Sequence, residues 1–538
     1  MNLVSVLGIF TMLGIAWAIS IHRKDIQFRP ILWGMGLQLL FATIIIRSDF
    51  WSFFGMVIFA GLLIVYLFKD SVERGEYGPV AGVLVASALV GYGTRFAPAS
   101  AVWYLVVALI VSVAINAKWP ILGKAKSMCA VAIFALTVGN LIGTQTSGQV
   151  IFGAFSNQVA YFLTLSDYGA QFLFGNLADG QYFFPNSNTW PGFGFLFAFK
   201  VLPTIIFFGG FMGVLYYLGI MQVVIESISK FMRWTIGTSG AETLSCSANI
   251  FVGQTEAPLL VKPFLSTMTN SELLTIMVGG FATIAGGVLT GYIAMGIPAG
   301  HLIAASVMSA PAALVISKII FPEKEHSVTA GDVELPSIDV GENVLDAASK
   351  GISDGLKLAA NVGAMLIGFI ALIAVLDLIL NTLDGWIDGS ILGGEHYAYA
   401  STGYSPAKGE YAGYFPGSLQ TLFGFLLRPL AWVMGVSWAE SPFVGNLLGI
   451  KLSLNEFVAF GSLGNAAQTH AVSDRAIIIS SYALCGFANF SSIGIQVGGL
   501  SALAPERRAD LARIGLRAML GGALASWTTA SVAGLFLS

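Results

Sequence analysis

The stretch Asn249-Ile250-Phe251-Val252-Gly253-Gln254-Thr255-Glu256-Ala257-Pro258 sets amides, a hydroxyl and a carboxylate inside a chain otherwise built to dissolve in lipid. Polar and ionisable side chains at membrane depth are costly and usually face a water-filled cavity or a substrate path, which makes Glu256 a site candidate. A second acid, Glu456 in Asn455-Glu456-Phe457, and the run Asn489-Phe490-Ser491-Ser492 lie in similarly apolar surroundings. Two kinds of chemistry suit these groups. Backbone carbonyls freed at Val252 and near Ile284, with the side-chain oxygens of Asn249 and Thr283, provide hard oxygen donors of the kind Na+ takes. A carboxylate accepts two hydrogen bonds from a sugar diol, so Glu256 or Glu456 fits such a ligand with Asn489 and Ser492 alongside. Gln254, Thr255 and Glu256 match the donor and acceptor edge of a heterocyclic base, and Phe487 supplies an aromatic face. The bland alternatives are helix capping for Thr255, Thr283 and Ser491, and structural ion pairing of the two acids with Lys262, Arg428 or Lys451.

The elements that hold these residues must be membrane elements. Hydrophobic residues make up 56% of 538, charged residues 10%, and mean hydropathy is +0.79, a balance no soluble globular chain of this size shows. A net charge of −3 leaves no polybasic face for nucleic acid. Cys129, Cys246 and Cys485 are scattered in apolar segments without metal-ligand or disulfide spacing, and read as packing thiols.

Apolar runs long enough for a span fall at 1–20, 31–46, 52–68, 79–94, 100–116 and 127–144. Basic residues at His22–Lys24, at Lys69 with Arg74, and at Lys118, Lys124 and Lys126 occupy alternate loops. By the positive-inside rule this places the amino terminus outside and, after the later spans, the carboxyl terminus outside as well. The segment 150–193 reads as an interfacial amphipathic helix ending in the loop Pro185–Gly192, and a span at 195–220 follows.

Beyond residue 236 the spans become interrupted, twice. Residues 236–270 are too polar to cross as one helix and too apolar for a loop, so a re-entrant hairpin is expected, with a helix at 273–297 broken near Thr283–Gly287 and a span at 300–320. A polar connector at Glu323–Ser337, an amphipathic piece at 342–357, a span at 360–381 and an outer loop at 384–416 come next. A second hairpin is expected over 419–470, a helix at 476–502 broken at Asn489–Gly494, and a last span at 516–537. The expected fold is an all-α integral membrane protein: a multi-span helical bundle with two re-entrant helical hairpins and two broken helices in an inverted repeat. Such duplicated interrupted helices are the pattern of secondary transporters, with the site near the bilayer midplane. The expected organisation is 1–146 extra amino-terminal spans, 147–235 interfacial helix, outer loop and scaffold span, 236–322 first hairpin and broken helix, 323–418 linker, scaffold span and outer loop, and 419–538 second hairpin, broken helix and last span.

The runs FVGQTEAPLLVKPFL at 251–265, GFATIAGGVLTGY at 280–292, NEFVAF at 455–460 and CGFANFSSIGIQVGGLSALAPERR at 485–508 resemble the concentrative nucleoside transporters, over about 195–538. The resemblance implies a homotrimer in the plasma membrane, the inner membrane of a bacterium, whose protomers carry nucleosides of the uridine, cytidine and adenosine class with a cation by an elevator-like motion. Position by position it implies base contacts from Gln254, Thr255 and Glu256 and ribose contacts from Glu456, Asn489 and Ser492. Packing on the nucleoside would fall to Phe487 and Val288, and a Na+ shell to Asn249, Val252, Thr283 and Ile284, with no organic cofactor. Gly287 stands where some members have a serine, and Gly253 is similar to members that accept both purine and pyrimidine nucleosides. Sodium coupling is expected, with proton coupling as the alternative. An intramembrane lipid-sugar transferase would need clustered acids and basic residues in a cytoplasmic loop, and a channel would not need two hairpins closing over a central site.

Overall fold

The computed structural model describes residues 2–93, 104–106, 108–109, 125–144, 146–183, 196–331, 333, 341–392 and 414–537, and the regular elements among them are helical. Lipid gives a backbone amide no water to bond, so a chain this apolar folds into helices that satisfy their own polar groups. In chain order the main helices are α1 (Asn2–Ala18), α2 (Phe28–Ile46), α3 (Phe50–Leu67), α4 (Gly78–Gly93), α5 (Ala125–Thr144), α6 (Gly148–Thr164) and α7 (Ser166–Phe174). Next come α8 (Phe197–Tyr217), α9 (Ile220–Ile236), α10 (Gly240–Ala248), α11 (Asn270–Ala282), α12 (Gly286–Ala294), α13 (Ala299–Ile320) and α14 (Val344–Asp384). The last are α15 (Leu419–Val433), α16 (Ser441–Ser453), α17 (Glu456–Gln468), α18 (Asp474–Leu484), α19 (Phe490–Leu503) and α20 (Arg508–Phe536). Seven helical stretches among the described residues are long and apolar enough to cross a membrane. The span expected at 100–116 lies mostly outside the described residues, the loop at 185–192 lies wholly outside them, and most of the outer loop at 384–416 does too.

Burial separates a centre from a periphery. The spans built on α11, α13 and α20 are 94%, 89% and 83% buried, whereas that of α14 is 12% buried although it is the most apolar. Helices α1 and α2 are tied to the centre: Ser5 Oγ donates to Met434 O at 3.0 Å, and Gln38 Nε2 donates to Met308 O at 3.1 Å and to Thr529 Oγ1 at 3.0 Å. On the periphery α8 lies directly on α14. A Cβ on Gly209 would come within 2.5 Å of Gly351 O, and one on Gly351 within 2.3 Å of Gly209 O, so only glycine allows that approach.

Three expectations change. The amphipathic piece at 342–357 and the span at 360–381 are one continuous helix, α14, because no proline interrupts them and Gly351 and Gly355 serve packing against α8 rather than termination. The region 419–470 holds three helices: α15 ends at a turn containing Gly435, whose φ of +106° favours glycine, and α16 and α17 form the pair that carries Glu456. The second helix break lies at Cys485–Asn489 rather than Asn489–Gly494, since the Asn489 side chain accepts from Ser492 N–H at 2.8 Å and so starts α19.

Each interrupted half is clasped where its helices begin. Ser239 with Glu242 and Thr269 with Glu272 form reciprocal capping boxes on α10 and α11. Buried Lys318 pairs with Glu242 and donates to Ser271 Oγ at 2.8 Å. The connector after α13, which reads as a solvated linker, folds back over both caps: the Ser327 and Thr329 hydroxyls each donate to Glu272 at 2.5 Å, and Gly240 N–H donates to Thr329 O at 2.8 Å. In the second half Glu440, at the start of α16, accepts from Ser437 Oγ at 2.7 Å, Ser473 N–H at 2.6 Å and Ser473 Oγ at 3.1 Å. Ser473 in turn caps α18, accepting from Ala476 N–H at 3.2 Å.

Candidate functional site

The first break forms because Thr283 and Ala285 take extended backbone between α11 and α12. Residues 249–256 leave helical geometry after α10 and lie against that break, with Gly286 N–H donating to Phe251 O at 3.1 Å. Asn249 is fully buried; its Nδ2 donates to Ser245 O at 3.1 Å, which turns Oδ1 away, buried and without a hydrogen-bond partner. A Cβ on Gly279 would sit 3.4 Å from Asn249 Nδ2, and Thr283 Oγ1 donates to Gly279 O at 2.9 Å, so Asn249 and Thr283 flank one residue of α11. Thr283, Ile284 and Val252 are buried with them. The orphaned Asn249 oxygen, on a residue packed against the same α11 glycine that the Thr283 hydroxyl bonds, is a hard donor of the kind a small cation takes, and it carries a buried cost without a partner.

Glu456 opens α17, where the helix dipole favours a negative charge, and Asn455 caps that helix by accepting from Val458 N–H at 3.1 Å. Glu456 is 97% buried, and its carboxylate is held from both sides: Tyr292 Oη donates to Oε1 at 3.2 Å and Asn489 Nδ2 donates to Oε2 at 3.2 Å. From Asn489 the hydrogen bonds continue through Ser492 to Gln254, whose Nε2 donates to Ser492 Oγ at 3.4 Å. Gln254, Ser492, Asn489 and Glu456, singled out in the sequence, therefore form one connected polar track across the two halves. Neither acid pairs with the cations weighed against it. Lys451 instead donates to Ala483 O at 2.9 Å, and Arg428 lies over the Trp438 ring at 4.0 Å and donates to Trp438 O at 3.2 Å.

Glu256 lies apart from that track. It is exposed, accepts from Gly253 N–H, and lines a cleft of about 270 Å³ between residues 251–260, the start of α12, and the faces of α8 and α14. Tyr216 of α8 and Lys350 and Asp354 of α14 line the same cleft. A Cβ on Gly253 would come within 2.5 Å of Glu256 Oε2, so glycine there is what lets the carboxylate fold back onto the backbone. Thr255 is exposed, Val288 is buried in α12, and Phe487 is half-buried against the core; none of the three hydrogen-bonds to the track through its side chain. Gly287 has only ordinary contacts around a would-be Cβ, the nearest being Phe208 at 3.6 Å, so a serine would fit.

Two members of the constellation are absent from the sequence reading. Tyr292 holds Glu456, and Gln496, 99% buried on α19, donates to Gln254 Oε1 at 3.0 Å and to Met277 O at 3.2 Å. The available signal for Gln496 is a lone amide in the apolar run Ile493–Leu500.

Known proteins share this architecture. Three family profiles match: "Na+ dependent nucleoside transporter N-terminus" at residues 7–59, "Nucleoside recognition" at 198–299, and "Na+ dependent nucleoside transporter C-terminus" at 301–534. The first match carries the resemblance to α1, α2 and the first half of α3, beyond the 195–538 read from the motifs. A Haemophilus influenzae protein described as an uncharacterized transporter is 43% identical over 417 residues, 76% of this chain and 91% of that one. The mouse sodium/nucleoside cotransporter 1 is 42% identical over 403 residues, 72% of this chain and 56% of that longer protein. The structure described as CNTnw in an inward-facing substrate-bound state superposes with a TM-score of 0.71 at 32% identity, covering 100% of this chain and 98% of that one.

Proposed function

This chain belongs to the family of concentrative nucleoside transporters, and we propose that it imports nucleosides, purine and pyrimidine alike, by symport with Na+. The observation that carries this reading is the track from Gln254 to Glu456, which joins residues 249–256 to α17 and α19 and puts amides near one end and a carboxylate at the other. Ribose hydroxyls would take the place of Tyr292 and Asn489 as donors to Glu456, while Gln254 and Thr255 meet the base, Phe487 and Val288 pack on the nucleoside, and Glu256 completes the base contact by turning from the cleft toward the track. Na+ would be held by Asn249 Oδ1, Thr283 Oγ1 and the carbonyls of Val252 and Ile284. A cation there fixes residues 249–256 against the first break, so nucleoside meets a formed site, and the two affinities rise together because coupling is reciprocal.

Residues 236–270 and the α16–α17 pair act as the two re-entrant hairpins of an inverted repeat that move together past α8 and α14. The exposed apolar face of α14, with Ile367 at 76% and Leu372 at 59% exposure, suits lipid and the neighbouring protomers of a homotrimer. The protein would sit in the inner membrane of a bacterium with its carboxyl terminus outside. The test is uptake of radiolabelled uridine and adenosine into proteoliposomes under an inward Na+ gradient or an inward proton gradient. Accumulation above equilibrium only with Na+ supports the reading. Accumulation with protons alone moves coupling away from Asn249 and Thr283, and no accumulation with either rejects nucleoside symport.

A further inference from the structure

We propose that Gln496 is a positioning residue that sets which end of the Gln254 amide faces the substrate, and thereby tunes discrimination between carbonyl- and amino-bearing bases. The inference rests on the assignment of Gln254 to the base. An amide can be turned end for end at almost no steric cost, so its polarity is decided by its partners. Here one partner has no choice: the backbone carbonyl of Met277 only accepts, and it receives Gln496 Nε2 at 3.2 Å. The same nitrogen donates its other hydrogen to Gln254 Oε1 at 3.0 Å. Gln254 must then present its NH2 group on the far side, where it reaches Ser492 Oγ at 3.4 Å. Turning Gln496 over would set its carbonyl against that of Met277. The price of the locked orientation is visible, since Gln496 Oε1 is buried with no hydrogen-bond partner.

Space enforces the same arrangement. A Cβ on Gly280 would lie 2.5 Å from Gln496 Nε2 and 2.9 Å from Gln254 Cβ, so the two amides meet over a glycine of α11. With a donor facing the ligand, Gln254 favours a base that offers an acceptor, such as a ring carbonyl, over one that offers an amino group.

The test compares uptake KM and Vmax for uridine against cytidine and for inosine against adenosine, pairs in which a carbonyl beside a protonated ring nitrogen is replaced by an amino group beside a bare one, so that the edge reverses its donor and acceptor order. In Gln496→Glu a protonated carboxyl donates its O–H to Met277 O and accepts from Gln254 Nε2, which reverses the Gln254 amide. The KM ratio within a pair should move toward the amino member by about tenfold, with Vmax nearly unchanged, as expected when a hydrogen-bonding site changes polarity. Gln496→Met frees the amide and should shrink the ratio toward one, and Gly280→Ala, which pushes the amides apart, should shift it the same way by less. Ratios unchanged in folded Gln496→Glu and Gln496→Met would overturn the inference. If Gln496→Glu does not fold, Gln496→Met and Gly280→Ala decide it by the same ratio. Gln254→Leu separates the premise: if it leaves KM for all four nucleosides unchanged, Gln254 does not meet the base. If Gln254→Leu alters KM, adding Gln496→Met to it should change the ratio no further, and an additive effect would overturn action through Gln254.

Discussion

Glu456 and Glu256, matched in the sequence pattern, keep different company in the fold. Glu456 is buried, sits at a helix start, and receives one hydrogen bond on each oxygen from groups fixed on two other elements. Glu256 is exposed to a cleft and bonds only its own turn, through Gly253 N–H. A buried carboxylate with two donors is part of the architecture, and removing it strands its partners. A carboxylate folded onto its own backbone is available to turn toward a ligand. The difference teaches that two acids at similar places in a sequence pattern need not be held alike: Glu456 is locked between two partners, whereas Glu256 is folded onto its own turn.

The strongest way to break that contrast is Glu456→Ala. It leaves Tyr292 Oη and Asn489 Nδ2 buried without their acceptor, and each orphaned donor costs about 1–3 kcal/mol. Uptake should fall by at least about a hundredfold, and the melting temperature of the purified protein should drop clearly, since stability and binding are lost together. A variant that keeps its melting temperature would show that Glu456 is not a structural acceptor.

Glu256→Gln should separate the two properties. The amide oxygen still accepts from Gly253 N–H, so thermal stability should stay close to that of the parent. Uptake should nevertheless fall by about ten- to a hundredfold, the loss expected when a charged acceptor becomes neutral at a binding site. Equal thermal losses in Glu256→Gln and Glu456→Ala would erase the contrast. Gly253→Ser sharpens it at smaller amplitude. The new Cβ would meet Glu256 Oε2 within 2.5 Å, so the carboxylate must leave the turn. The ratio of adenosine to uridine uptake should shift by about threefold to tenfold, the scale of a single altered contact in a pocket; an unchanged ratio would detach Gly253 from breadth of selection.

Much of this was legible because membrane burial makes polar residues informative one by one. Asn249, Gln254, Glu456, Asn489 and Ser492 stand out against an apolar background, and the structure draws the last four into one hydrogen-bonded track. The first break was placed correctly at Thr283 because the Gly286–Gly287 pair follows it closely. What the sequence hid depends on partners distant along the chain. Tyr292 carries no signal of its own in the sequence, because its acceptor, Glu456, lies 164 residues further along the chain. Gln496 shows locally only as an amide among apolar neighbours, because both its partners, Gln254 and Met277, lie more than two hundred residues away. The second break was misplaced because Asn489 and the serines after it resemble a disrupted segment, whereas Asn489 acts as the cap that starts a helix. The continuity of α14 was hidden by its polar first half, which suggested a separate surface piece.

The same contrast between halves extends to their clasps, and pH gives its mildest test. In the first half the clasping carboxylates, Glu242 and Glu272, are buried under the connector. In the second half the clasp is Glu440, partly open to water at the turn before α16. Desolvation pushes its carboxyl up, but hydrogen bonds from Ser437, Ser473 N–H and Ser473 Oγ outweigh it, and the pKa lies below the ordinary glutamate value of 4.5. A group whose folded pKa is depressed contributes stability that is fully present above its unfolded pKa and is lost as pH falls through the folded value. The second half should therefore lose the stability Glu440 contributes as pH falls below about 4.5 and through its depressed folded value. Hydrogen exchange read at α16 and α18 should rise as pH drops from 6 to about 3.5, after correction for the intrinsic pH dependence of exchange, and Glu440→Gln should show the faster exchange already at pH 6 with little further change. Exchange at α16 and α18 that responds to acid equally in parent and Glu440→Gln would assign the clasp to other groups.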